Sequence, residues 1–232
     1  MAEKKKTKNK RRALSDKEKR ARMAEIVSRL EAIYPDATCA LEYGGEPWRL
    51  LVMARLSAQC TDARVNIVSR ELFARFPTVD ALADAPLDQI EEIVRSCGLF
   101  RTKAASIREE CRMLRDCFDY RVPDTMDDLL SMPGVGRKIA NLMLGDIYGM
   151  PAIVADTHCI RICGRFGMYD TTLKDPTRVE KIMSALVEPS KQSDFCHRIV
   201  QFGRDTCSAR APKCAECPLR DVCEMGLMED SL

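Results

Sequence analysis

An all-α fold is predicted for this chain by three observations. Apolar residues recur at helical spacing in almost every segment. No stretch alternates apolar and polar residues as a half-buried strand does. The connections are mostly short and carry the Gly, Pro, Asp or Thr expected at helix ends. The first helix is expected from Asp16 to Tyr34: Ser15 and Glu18 read as a capping box, Met23, Ile26, Val27, Leu30 and Ile33 follow at helical spacing, and Pro35 stops the pattern. The same periodicity predicts helices near Pro47 to Ala58, Asp62 to Phe76, Leu87 to Ser96, Thr102 to Asp119, Thr125 to Met132, Arg137 to Tyr148, Thr157 to Phe166, Pro176 to Val187 and Ser190 to Asp205. Pro176 suits the first position of its helix, with Asp175 before it as the cap.

At 232 residues and 46% hydrophobic content, the chain can bury a real core as one large or two small domains. No run approaches the roughly 18 apolar residues of a membrane span, and the Lys-rich N-terminus lacks the apolar stretch of a signal peptide. An intracellular, cytoplasmic address is expected, in which twelve cysteines mean reduced thiols plus a metal centre, not a disulfide framework. Charge is uneven. Residues 1–22 hold eleven Lys or Arg against three acids, while the whole chain is only +2, so the body is formally acidic. A nucleic-acid partner must then be gripped by local geometry in the folded part. Residues 1–14 form a basic tail, expected to be disordered, that adds sequence-blind attraction to phosphates.

Chemistry concentrates in two places. Cys207, Cys214, Cys217 and Cys223 stand as C-x6-C-x2-C-x5-C, with Arg210, Pro212, Lys213, Pro218 and Arg220 giving the stretch the character of a loop. Thiolates select zinc or iron–sulfur clusters, and structural zinc more usually takes two C-x2-C pairs. Only one such pair occurs here, so a [4Fe-4S] cube fits the wide loop better. The second place is Ser131-Met132-Pro133-Gly134-Val135-Gly136-Arg137-Lys138, a turn between two predicted helices. Its two glycines are expected to take positive φ and bring the backbone close to a ligand, and the N–H groups opening the next helix form an anion site suited to a DNA phosphate. A tight turn between helices without a ligand would favour the same glycines. Lys138, in the first turn of that helix, feels the positive helix end and Arg137, and both favour the neutral, nucleophilic amine. Asp156, in Ala155-Asp156-Thr157-His158, either caps the following helix or faces the amine across a cleft.

Together these residues resemble endonuclease III, a family of bifunctional DNA glycosylases and abasic-site lyases in the helix-hairpin-helix superfamily. The resemblance covers nearly everything after the tail. It rests on Leu56-Ser57-Ala58-Gln59 with Thr61-Asp62, Gly98-Leu99, Pro133 to Lys138, Asp156-Thr157-His158 and the cysteine loop, in that order. It implies two helical domains, a central one over 58–150 with the hairpin and a cluster domain built from 15–57 plus 151–232, with duplex DNA in the groove between them. Lys138 would attack the sugar C1′ and Asp156 would assist. Gln59 and Leu99 would fill the space left by a flipped nucleotide. Gly134, Val135, Gly136, Arg137, His158, Arg210 and Lys213 would contact DNA, and the four cysteines would hold a structural [4Fe-4S] cluster. The expected substrate is duplex DNA with oxidised pyrimidines or abasic sites, handled by a monomer associated with the nucleoid. Departures are Cys60 where alanine is common, Ile139 for a frequent threonine, Ala155 for valine, and Ala211 at an often basic loop position. The competing readings are an adenine-type monofunctional glycosylase and a non-catalytic iron–sulfur DNA-binding protein. The former lacks the lysine and carries an extra C-terminal domain, for which the nine residues after Cys223 leave no room.

Overall fold

The computed structural model of the chain describes residues 14–229, so the basic tail, 1–14, lies outside it but for its last residue. Among the described residues there are twelve α-helices, four short 3-10 turns and no strand. The helices are α1 (Asp16–Ile33), α2 (Pro47–Leu56), α3 (Asp62–Arg75), α4 (Val79–Ala83), α5 (Leu87–Val94), α6 (Phe100–Cys117), α7 (Met126–Ser131), α8 (Arg137–Asp146), α9 (Thr157–Arg165), α10 (Pro176–Leu186), α11 (Gln192–Asp205) and α12 (Glu224–Glu229).

Local chemistry explains most of the boundaries. The Ser15 and Glu18 side chains and backbone amides satisfy one another at the start of α1. Thr61, Thr78, Thr125, Asp156 and Asp175 each accept a hydrogen bond from the first turn of the helix that follows. Helix α4 was not expected. At five residues it is too short to display a period, and its one signal is the Thr78 cap. The residues after Val94 tighten into a 3-10 turn, Arg95–Cys97, where a longer helix was predicted.

The buried side chains form two clusters. One runs from Leu41 to Ala152 and is built by α2 to α8. The other combines Met23, Ile26, Val27 and Leu30 of α1 with residues from Ile153 to Leu219. The changeover falls between adjacent residues, Ala152 in the first and Ile153 in the second. Helix α2 lies wholly in the first cluster: Leu50, Leu51, Val52, Met53 and Leu56 are buried there, so that core reaches ahead of residue 58. The reason is composition, since an almost uniformly apolar helix must be enclosed by α3, α6 and α8, against which it packs.

Helix α11 spans the junction. At its start, Ser193 Oγ donates to Asp146 Oδ1 at 2.9 Å and His197 Nε2 lies 2.9 Å from the same oxygen, so the end of α8 is tied to α11. At its end, Arg204 Nη2 donates to Asp62 Oδ2 at 2.5 Å, at the start of α3. These two ties, one at each end of a single helix, fix how the first cluster sits on the second.

Candidate active site and cluster loop

Helices α7 and α8 are joined by a hairpin, Met132 to Gly136. Gly134 has φ +79°, and a Cβ there would stand 2.5 Å from Arg55 Nε and 3.0 Å from Ser106 Oγ, so only glycine fits. Gly136 differs from the expectation for it. Its φ is −105°, and a Cβ on it meets nothing within 4 Å. Neither backbone nor packing requires glycine at 136 in the free chain; it simply leaves open space before α8. Gly136 is also the N-cap of α8 and supplies no side chain to the helix, so the first-turn N–H groups lack the cap that α7 and α9 possess. Val135 contributes little to an exposed surface: its side chain is buried, and its amide donates to Met132 O at 3.2 Å to close the turn.

Lys138 is exposed on the first turn of α8 and has no hydrogen bond or ion pair among the described residues. Arg137 beside it is held by Glu180 of α10 through both Nε (2.9 Å) and Nη2, and this pairing raises the guanidinium's affinity for its proton. The charge of Arg137 beside Lys138 is therefore largely compensated by Glu180. Arg137 is also not a free phosphate ligand. Glu180 sits 43 residues away in sequence, and nothing in the local sequence could reveal it.

Asp156 caps α9: its Oδ1 accepts from Cys159 N at 2.7 Å, which leaves Oδ2 without a partner among the described residues. Helix α11 packs against both α8 and α9, and its named ties to α8 are at that helix's end, Asp146. His158 lies against Gly203 and Arg161, where its Nδ1 is 3.3 Å from Arg161 Nη2. Burial first, opposed by Asp156 and reinforced by Arg161, lowers its proton affinity below the ordinary 6.5.

Four non-glycine residues among those described have positive φ, and two of them are Gln59 (55°) and Leu99 (47°). Both are exposed, Leu99 to 58%, although an apolar side chain at the start of α6 would ordinarily turn inward. A left-handed conformation costs about 1–2 kcal/mol per residue, and such strain gathers at working sites. Lys103 was missed by sequence reasoning. Its ammonium is wholly buried and bonded to Leu56 O and Cys97 O, at the bases of the two loops that present Gln59 and Leu99. The available signal was a lysine on the apolar face that Ala104, Ile107, Cys111 and Leu114 give α6.

The four cysteines of 207–223 line one cavity together with Arg165, Phe166, Phe202 and Arg220. The donor set fits a cluster: Arg165 Nη1 donates to Cys207 Sγ at 3.2 Å and to Ser208 O at 2.7 Å, Nη2 donates to Ala209 O at 2.9 Å, and a guanidinium beside thiolate sulfur offsets its charge. Arg29 braces the loop from α1 through a paired contact with Asp221 at 2.7 and 3.0 Å. Arg210 and Lys213 are exposed on the same loop and form no ion pair among the described residues. Of the other cysteines, all but the exposed Cys117 belong to the cores and their edges; Cys159 and Cys163, with sulfurs 4.0 Å apart, and Cys196 are buried free thiols. No described helix is long and apolar enough to cross a membrane.

Residues 52–189 match the family model of the HhH-GPD superfamily base excision DNA repair protein, and residues 207–223 match the iron–sulfur binding domain of endonuclease III. The chain is 43% identical over 206 residues to endonuclease III of Synechocystis sp., covering 88% of this chain and 93% of that protein. It is 34% identical over 205 residues to endonuclease III of Escherichia coli K12, covering 88% and 96%. In three dimensions it matches a non-covalent endonuclease III–DNA complex at TM-score 0.85 and 36% identity, covering 92% of this chain and 99% of that one. A trapped endonuclease III–DNA covalent intermediate matches equally well, at TM-score 0.85 and 36% identity, covering 91% and 98%.

Proposed function

The chain belongs to the endonuclease III family within the HhH-GPD superfamily of base excision DNA repair proteins, and on that premise we propose which of its residues do the work. It is a DNA glycosylase and abasic-site lyase that carries a [4Fe-4S] cluster on Cys207, Cys214, Cys217 and Cys223. A relative trapped in covalent union with DNA requires a nucleophile, and Lys138 supplies one here. The observation that carries the assignment is an exposed amine with no partner among the described residues, on the first turn of the helix that follows the hairpin.

The open space at Gly136 and the uncapped amides of α8 accept a backbone phosphate, which sets the sugar before Lys138. The damaged nucleotide leaves the stack, and Gln59 and Leu99 fill its place. As the base departs with a proton, positive charge grows on the sugar. The free Oδ2 of Asp156 stabilises that charge while Oδ1 stays fixed on its helix cap. The Lys138 amine, its proton released, bonds to C1′ and, as the ring opens, becomes an imine. The imine draws electrons from the neighbouring C2′, whose proton leaves, and the 3′ phosphate departs in β-elimination. No step moves an electron, so the cluster's part is to hold the loop of Arg210 and Lys213 toward the phosphates. Oxidised pyrimidines are the substrates that suit the family name, and one chain holds a full set of these groups, so a monomer suffices.

Borohydride trapping on duplexes with an oxidised pyrimidine or an abasic site tests the assignment. The wild-type protein is expected to form a covalent adduct that Lys138→Gln abolishes. Base release without an adduct would identify a monofunctional enzyme, and binding alone a non-catalytic protein; either result removes Lys138 from the role given to it.

A further inference from the structure

Lys103 has no solvent exposure, yet among the described residues no carboxylate pairs with it. Its Nζ donates to two main-chain carbonyls, Leu56 O at 2.8 Å and Cys97 O at 2.7 Å. A buried ammonium is unfavourable unless its hydrogen bonds are met, and burial does lower its hold on the proton. Its position is informative. Leu56 ends α2, and three residues later the chain turns left-handed at Gln59; Cys97 ends a 3-10 turn, and two residues later it does so at Leu99. A single nitrogen thus collects the last carbonyls of both elements, which otherwise lack helical partners. The two loops touch here as well: burial first and the adjoining Cys60 thiol second raise Cys97 to about 11.

We propose that Lys103 is a positioning residue that locks the two loops at a fixed spacing, so that Gln59 and Leu99 enter the duplex as one rigid unit. The proposal rests on the reading that those two side chains fill the gap of the extruded nucleotide. Two independent loops would each have to be ordered during insertion, whereas a pair fixed in advance has met that entropic demand on folding. The left-handed turns also persist only if something over-determines them, and a shared buried cation does so for both.

The test is a double-mutant cycle on the full chain with its cluster. Lys103→Met leaves both carbonyls unpaired and is expected to slow base excision from duplex DNA by about 30-fold. It should also reduce the fluorescence rise of 2-aminopurine placed opposite the lesion. Cleavage at an abasic site in a single strand, which needs no insertion, should change by less than about threefold. Combined with Gln59→Ala and Leu99→Gly, which remove the inserting groups, Lys103→Met should add almost nothing. Lys103→Arg, which keeps N–H donors in place, should recover most of the fluorescence signal. If Lys103→Met does not fold, Lys103→Gln, which retains a donor for one carbonyl, goes through the same cycle. Additive effects, or equal loss on duplex and single strand, would overturn the proposal. If Gln59→Ala with Leu99→Gly leaves the duplex reaction and the fluorescence intact, the underlying reading fails instead.

Discussion

The two hairpin glycines lie two residues apart and should fail in different ways when each gains a methyl group. Gly134→Ala places a Cβ 2.5 Å from Arg55 Nε at φ +79°. The left-handed backbone costs about 1–2 kcal/mol. Arg55 must also swing aside and give up its 3.2 Å bond to Ser106 Oγ, a further loss of about 1 kcal/mol. Folding stability should therefore fall by roughly 2–3 kcal/mol, which for a chain of this size lowers Tm by about 5–10 °C. Gly136→Ala adds its methyl to empty space at φ −105° and should leave stability within about 0.5 kcal/mol of wild type. That space is where the phosphate is proposed to dock. Loosening one charge-assisted hydrogen bond there is worth about 1.5–3 kcal/mol, or about 10- to 100-fold in Kd. Urea denaturation and fluorescence anisotropy on a non-cleavable abasic duplex measure the two quantities. Unchanged affinity in Gly136→Ala, or a stability loss equal to that of Gly134→Ala, would refute the phosphate cradle.

Three further outcomes are expected. Glu180→Gln should free Arg137 for phosphate, tighten duplex binding several-fold and steepen the dependence of log Kd on log salt by about 0.9; an unchanged slope means Arg137 does not reach DNA. Glu110 is fully buried with both oxygens unpartnered among the described residues, and burial holds its carboxyl well above the ordinary 4.5. Because the folded chain binds this proton more tightly than the unfolded one, its stabilising contribution is complete below about pH 4.5 and is lost as pH rises toward the folded value. Glu110→Gln should accordingly gain stability relative to wild type as pH rises above about 5 in urea titrations, and a difference independent of pH would contradict this. Arg165→Met removes three bonds to the cluster loop, so its iron–sulfur absorbance should bleach faster under a chelator; wild-type bleaching would mean that the guanidinium does not brace the loop.

Features that depend on neighbours along the chain are legible in the order of the amino acids alone. The helices of 16–33, 62–75 and 176–186 follow from caps and periodicity within a few residues, and the four thiols declare a cluster because all lie within one loop of 207–223. The hairpin is equally legible, although only Gly134 needs the positive φ expected of both its glycines. The tertiary structure decided which charges are free. Arg137 finds Glu180 at a separation of 43 residues, Lys103 finds Leu56 O at 47, Arg165 finds Cys207 at 42 and Asp146 finds His197 at 51. Helical propensity and ligand spacing are properties of adjacent residues, so composition and order carry them. Pairing and burial of a long side chain depend on which faces of distant helices meet, as α6 meets α2 around Lys103 and α8 meets α11 around Asp146.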